Sequence, residues 1–176
     1  HSYYNYNMSN KRELIEKKNK LIEKILSINN IEEAFDEKNQ LILTKLCLNN
    51  DVYLIEKFIK LKNINLNIVS PTNGNTPLII AAEKGNIELC KLLINDPRVN
   101  LNLKNFKNKS ALSISIKNRH DTISRLIIYN ERYNPDIDDL NSCFIHSDLD
   151  ILQILLFEKK VDINCNYFTS KGNITS

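Results

Sequence analysis

Few residues of this 176-residue chain have the type and spacing to do chemistry. The densest candidate is Asp136-Ile137-Asp138-Asp139, three carboxylates within four positions. Such a run suggests a divalent cation, but a calcium loop also needs a glycine for its sharp turn and a distant glutamate. No glycine follows here, so the run reads as turn-forming and helix-capping. The histidines are His1, His120 and His146; the last two fall near turns and read as turn residues. Cys47, Cys90, Cys143 and Cys165 form no C-x-x-C pair, and no histidine stands at a zinc-ligand offset. They read as buried, reduced thiols of a cytoplasmic protein. Ser113 and Ser115 lie in a helical stretch with no base expected at a contact position. Glycine occurs only at Gly74, Gly85 and Gly172, where average usage would supply about a dozen. A G-x-G-x-x-G or G-x-x-x-x-G-K-[ST] phosphate loop cannot be written with those spacings. No catalytic residue, cofactor or metal is therefore expected.

Composition narrows the partners. The net charge of +3 is a small excess, not the basic stripe that marks a nucleic-acid surface. Aromatic residues are not interleaved with the basic ones, as stacking on single strands requires. No apolar run approaches the roughly 18 residues that span a bilayer. The opening HSYYNYN lacks the basic and apolar regions of a signal peptide. Neither nucleic acid nor membrane is expected as a partner. Leu, Ile, Val and Phe supply 58 of the 176 residues, enough for a real core. Asn, Ile and Lys supply 71, which points to an A/T-rich coding genome.

The elements that must carry these residues repeat. The clearest unit is Asn73–Asn105, NGNTPLIIAAEKGNIELCKLLINDPRVNLNLKN. Moved forward by 34 residues, Thr76-Pro77-Leu78 falls on Ser110-Ala111-Leu112 and Leu92-Leu93-Ile94 on Leu126-Ile127-Ile128. Moved back by 35, Leu78 falls on Leu43 and Leu89 on Leu54; moved forward by 62, Leu78 falls on Leu140. Asn65-Leu66-Asn67, Asn100-Leu101-Asn102 and Asp162-Ile163-Asn164 keep the same 35 and 62. The step into the fourth unit is only 28, so the connector near Asn130–Asp138 must be shortened. Each unit reads as helix, turn, helix, loop. Thr76 is an N-cap, and Pro77 suits the first helical position, where its missing N–H costs nothing. Leu78, Ala81 and Ala82 give the first helix an inner face. Gly85 ends it with a positive φ, Asn86 caps the second helix, and Ile87, Leu89, Leu92 and Leu93 are that helix's apolar positions. Two such helices cannot bury their apolar faces alone, so the units must stack.

On these residues the chain resembles the ankyrin-repeat family, whose unit of about 33 residues carries T-P-L-H-x-A. Thr76-Pro77-Leu78, Ala81-Ala82, Gly85, Leu92-Leu93 and Asn102 stand at the matching places. The signature histidine is Ile79, and Gly85 is matched by Asn50, Arg119 and Ser147. The resemblance implies an all-α ankyrin-repeat solenoid of stacked helix-turn-helix units with hairpin-like loops. Four units are expected, at 39–72, 73–105, 106–138 and 139–166, with stability highest in the second and third. Residues 1–8 read as a flexible segment or cloning remnant, and 9–38 as a capping helix (Lys11–Ile28) with a short connector. Residues 167–176 read as the start of a further, truncated repeat, because Ser170-Lys171-Gly172-Asn173 echoes Thr72-Asn73-Gly74-Asn75.

The resemblance also implies the function: a non-enzymatic scaffold or adaptor that binds a protein on its concave hairpin and first-helix surface. Carried over position by position, the hairpin sites are Asn73 and Asn75, then Phe106, Lys107 and Lys109. The first-helix sites are Glu83 and Lys84, then Lys117 and Asn118, then Ile145 and His146. Lys104, Lys107, Lys109, Lys117 and Arg119 share one neighbourhood with Phe106, which suits an acidic partner. The same lysines also read as ordinary solvated surface in a lysine-rich chain. The family is further associated with asparagine hydroxylation, at positions matched by Asn67, Asn102 and Asn164; their other role is to hold turns by hydrogen bonds. Two alternative readings remain: a structural segment of a cytoskeletal or multi-protein assembly, and a targeting domain of a longer enzyme or pathogen effector.

Overall fold

The computed structural model describes residues 13, 16, 20, 37–60 and 64–161. Its contacts divide the chain into two units, 1–40 and 41–176. In the first, Glu13, Glu16 and Lys20 are helical and exposed; the rest of the expected capping helix lies outside the described residues, as do the proposed start of a further repeat, Cys165 and Asn164.

Every regular element among the described residues is helical. The pairs are α1 (Glu37–Leu48) with α2 (Val52–Ile59), α3 (Pro77–Lys84) with α4 (Ile87–Asn95), α5 (Ala111–Lys117) with α6 (Asp121–Ile128), and α7 (Ile137–His146) with α8 (Leu149–Gln153), which runs on as a π-helical turn at Ile154–Glu158. First helices pack on first helices, α3 on α5 and α5 on α7, while second helices pack in a parallel row, α2 on α4 and α4 on α6.

Capping sets these boundaries. The side chains of Thr76 and Ser110 accept the N–H groups of Ile79 and Ser113, at 3.2 and 3.0 Å. Asp51, Asn86 and Asp148 cap second helices in the same way. His120 occupies the equivalent place before α6 without a side-chain cap bond. Its imidazole instead covers Gly85, where an added Cβ would lie 2.7 Å from the ring.

The turn between paired helices has one backbone form throughout. Asn50, Gly85, Arg119 and Ser147 have φ of 61°, 71°, 60° and 54°, although only one is a glycine. The left-handed region costs other L-residues about 1–2 kcal/mol. Two of the three substitutes recover part of that cost across the stack: Asn50 accepts from the Asn86 amide, and the Arg119 guanidinium donates to the His146 carbonyl. Ser147 has no such bond among the described residues. Ser147→Gly should therefore raise stability by about 0.5–1 kcal/mol, read as a higher urea midpoint by circular dichroism; a lower midpoint would refute the strain assigned here.

Stacking buries more than one face of the first helices. The inner face expected at Leu78, Ala81 and Ala82 widens to every residue from Pro77 to Ala82, and in α5 from Ala111 to Ile116. Here α5 has a first helix on both sides and its own second helix behind, and α3 packs on α5 and on its own second helix. In α4 the buried stripe is Leu89, Cys90, Leu93 and Ile94; Ile87, expected inside, stands exposed at the first turn, and Leu92 is only half-buried.

The loops at the far end are stapled unit to unit. The Asn67 amide donates to the Arg98 carbonyl (2.8 Å) and accepts the Asn100 N–H (2.7 Å). Asn102 repeats this with Arg132 and Asn134, at 2.9 and 2.7 Å. The turn-holding role of these asparagines is thus direct. Arg98 reaches back to the Ile59 carbonyl and Arg132 to that of Ile94, at the carbonyl ends of the preceding second helices, and Arg132 also to the Val99 carbonyl in the loop after α4.

Candidate functional site

Two projecting fingers and the three first helices α3, α5 and α7 line a cleft of about 210 Å³. The first finger closes by Ser70 N–H to the Asn75 carbonyl (2.9 Å) and Gly74 N–H to the Ser70 carbonyl (2.7 Å). The second closes by Asn105 N–H to the Lys109 carbonyl (3.0 Å), with Asn108 at φ 56° in the place of Gly74. The fingers are tied together by Phe106 N–H to the Asn73 carbonyl (3.0 Å) and the Asn105 amide to Asn75 Oδ1 (2.8 Å). Gly74 is required there: a Cβ would meet the Phe106 ring at 2.5 Å. The fourth unit has no such finger, because residues 129–136 join α6 to α7 where the longer 96–110 joins α4 to α5. Ser142 and His146 of α7 therefore line the cleft directly.

Of the residues expected to touch a partner, Asn73, Asn75, Glu83, Lys107, Lys109, Lys117 and His146 line this one cleft. Phe106 stands beside it, 68% exposed. Lys84, Asn118 and Ile145 lie outside the lining; the Asn118 amide donates to the Glu83 carbonyl at 3.2 Å. Asn75 is a correction. It is 4% exposed, and its side chain is spent on Asn105 and on Glu83 Oε2 at 3.3 Å, so it shapes the cleft from behind.

The basic neighbourhood is also smaller than expected. Lys104 is held between Asp136 Oδ2 and Asp138 Oδ2, at 2.5 and 2.6 Å. Desolvation opposes its charge, yet the two carboxylates prevail and raise its pKa. Arg119 is committed to the His146 carbonyl. Among the described residues, Lys107, Lys109 and Lys117 have no carboxylate partner, and Glu83 is the single acid in the lining.

The acidic run is divided between two tasks. Asp136 caps α7, accepting from the N–H groups of Asp138 (2.9 Å) and Asp139 (3.4 Å). Asp139 is 1% exposed and accepts from Ser110 and Ser113 on Oδ1 (2.8 and 3.1 Å) and from Tyr133 and the Asp136 N–H on Oδ2 (2.8 and 3.0 Å). Burial raises its pKa against those donors, and burial together with this carboxylate pushes the Tyr133 hydroxyl well up. Ser113, for which no contacting base was expected, thus does meet a carboxylate. That carboxylate is saturated by four donors and holds α5 to α7. Ser115 is buried, donates to the Leu112 carbonyl at 2.8 Å and pairs with Ser124 at 2.8 Å. Cys47, Cys90 and Cys143 are buried free thiols, each pushed up to about 12 by desolvation, far from a reactive thiolate. No helix among the described residues is long and apolar enough to cross a membrane.

Helix pairs joined by left-handed turns recur among the described residues of 41–161, with fingers ahead of the second and third pairs. A family model described as ankyrin repeats, in three copies, matches residues 14–105 and 42–140. Repeats of this kind are generally protein–protein interaction modules and are typically non-catalytic. With the matched stretch running from 14 to 140 of 176 residues, the chain belongs to the ankyrin-repeat family.

Proposed function

We propose that the chain is a non-enzymatic protein-recognition module, a scaffold or adaptor, which holds an acidic surface of a protein partner in the cleft between its fingers and first helices. One observation carries this reading. Lys107, Lys109 and Lys117 face one cleft without carboxylate partners, while the neighbouring Lys104 is already neutralised by Asp136 and Asp138. Uncompensated cations at a concave rim steer and orient an acidic partner. Phe106, exposed and seated on Gly74, adds a rigid aromatic anchor. The fingers are already bonded to one another, so little ordering entropy opposes binding. Three buried free thiols suit a reducing compartment such as the cytoplasm.

The test is a double variant, Phe106→Ala with Lys107→Glu. Loss of an aromatic anchor and reversal of a rim charge should weaken capture of the acidic partner roughly 100-fold, with the urea midpoint unchanged because neither side chain is buried. Equal recovery of the same partner by affinity capture and mass spectrometry would show that binding lies elsewhere.

A further inference from the structure

The equivalent position on successive first helices forms a row: Leu48, Glu83, Lys117 and Ile145, related by the 35, 34 and 28 residue steps. Glu83 and Lys117 line the cleft. The row's ends are apolar and uncovered, Leu48 being 47% and Ile145 68% exposed. A large apolar side chain left in water is ordinary when alone. Here two of them stand at opposite ends of one row, with Glu83 and the unpaired Lys117 between them and Lys107 and Lys109 on the adjoining finger. Phe144, beside Ile145, widens the apolar end; it is 63% exposed, whereas the equivalent Cys47, Ala82 and Ile116 are fully covered.

We infer that the partner element is an extended peptide segment with acidic residues at its centre and an apolar residue at each end. This rests on the cleft being the recognition surface. Packed helices lie about 8–10 Å apart, so three steps from Leu48 to Ile145 span about 24–30 Å. Extended chain advances about 3.3 Å per residue, which places the two apolar residues about eight positions apart. The acids between them meet Lys107, Lys109 and Lys117.

Selection of random twelve-residue peptides displayed on phage against the 176-residue chain tests this directly. Enriched peptides should carry at least two acidic residues between apolar residues about eight apart. Ile145→Asp should abolish the apolar preference at one end and keep the acids, and Lys107→Glu with Lys117→Glu should abolish the acidic preference. Enrichment without acids, acids without the spaced apolar pair, or no enrichment at all would overturn the inference. In the last case, a captured partner that still protects the cleft from hydrogen exchange leaves the recognition reading standing and removes only the extended peptide. Protection elsewhere removes both.

Discussion

Asp139→Ala should cost the fold about 3 kcal/mol, seen as a large fall in the urea midpoint by circular dichroism. The carboxylate accepts from three side-chain hydroxyls of the preceding unit, and it closes the capping box of α7. Alanine leaves the Tyr133 hydroxyl and the Ser110 and Ser113 hydroxyls buried with fewer acceptors, at about 1–3 kcal/mol for an orphaned group, and removes a reciprocal cap worth about 1 kcal/mol. Asp139→Asn separates charge from shape. Burial holds the Asp139 pKa above the ordinary carboxylate value in the folded chain, whereas in the unfolded chain it returns to about 4. The folded state therefore binds this proton more tightly. Its contribution to stability is present at low pH and is lost as pH rises from the unfolded value through the raised one. The asparagine variant lacks that slope, so it should gain on the wild type as pH rises above about 4. A gap that stays constant with pH would show that the buried carboxyl titrates normally.

The second large effect belongs to Arg132→Ala, expected to destabilise by about 2–3 kcal/mol. Its guanidinium caps the carbonyl end of α4 at Ile94 and holds the following loop at the Val99 carbonyl (2.8 Å), and its own carbonyl receives the Asn102 amide. Charged donors to helix-end carbonyls contribute about 1.5–3 kcal/mol. The loss falls at the junction of the second and third units, so cooperative unfolding of the array should weaken there first. Loss of early hydrogen-exchange protection in α4 and α6 is the expected signature. A variant with the wild-type midpoint and protection would mean that solvent replaces these bonds without cost.

The architecture was legible because its signals are local. Thr76-Pro77 and the cap at Asn86 act within a few residues of where they are read, and the 34-residue register carries the same signal on to Ser110. The register even located the left-handed turns at Asn50, a residue type prone to positive φ, and at Arg119 and Ser147, whose side chains give no hint of it. What escaped depends on contacts across units. Lys104 was counted as a free cation because Asp136 and Asp138 lie over 30 residues away and meet it only after stacking. Asn75 looked like a fingertip until the next finger closed over it. Asp139 carried a faint local signal, the spacing Asp136-x-x-Asp139 of a reciprocal cap, but its role as a hub needed Ser110, Ser113 and Tyr133 brought to it by packing. Helical periodicity likewise shows one face at a time, whereas α3 and α5 are covered on several.

The central claim is that recognition takes place in the cleft, and hydrogen exchange of the chain with and without its captured partner tests it most directly. Binding in the cleft predicts slowed exchange in the finger 105–109 and at the C-terminal end of α5, with α4 and α6 unchanged. Slowed exchange confined to the second helices, with the finger 105–109 exchanging as in the free chain, would contradict it.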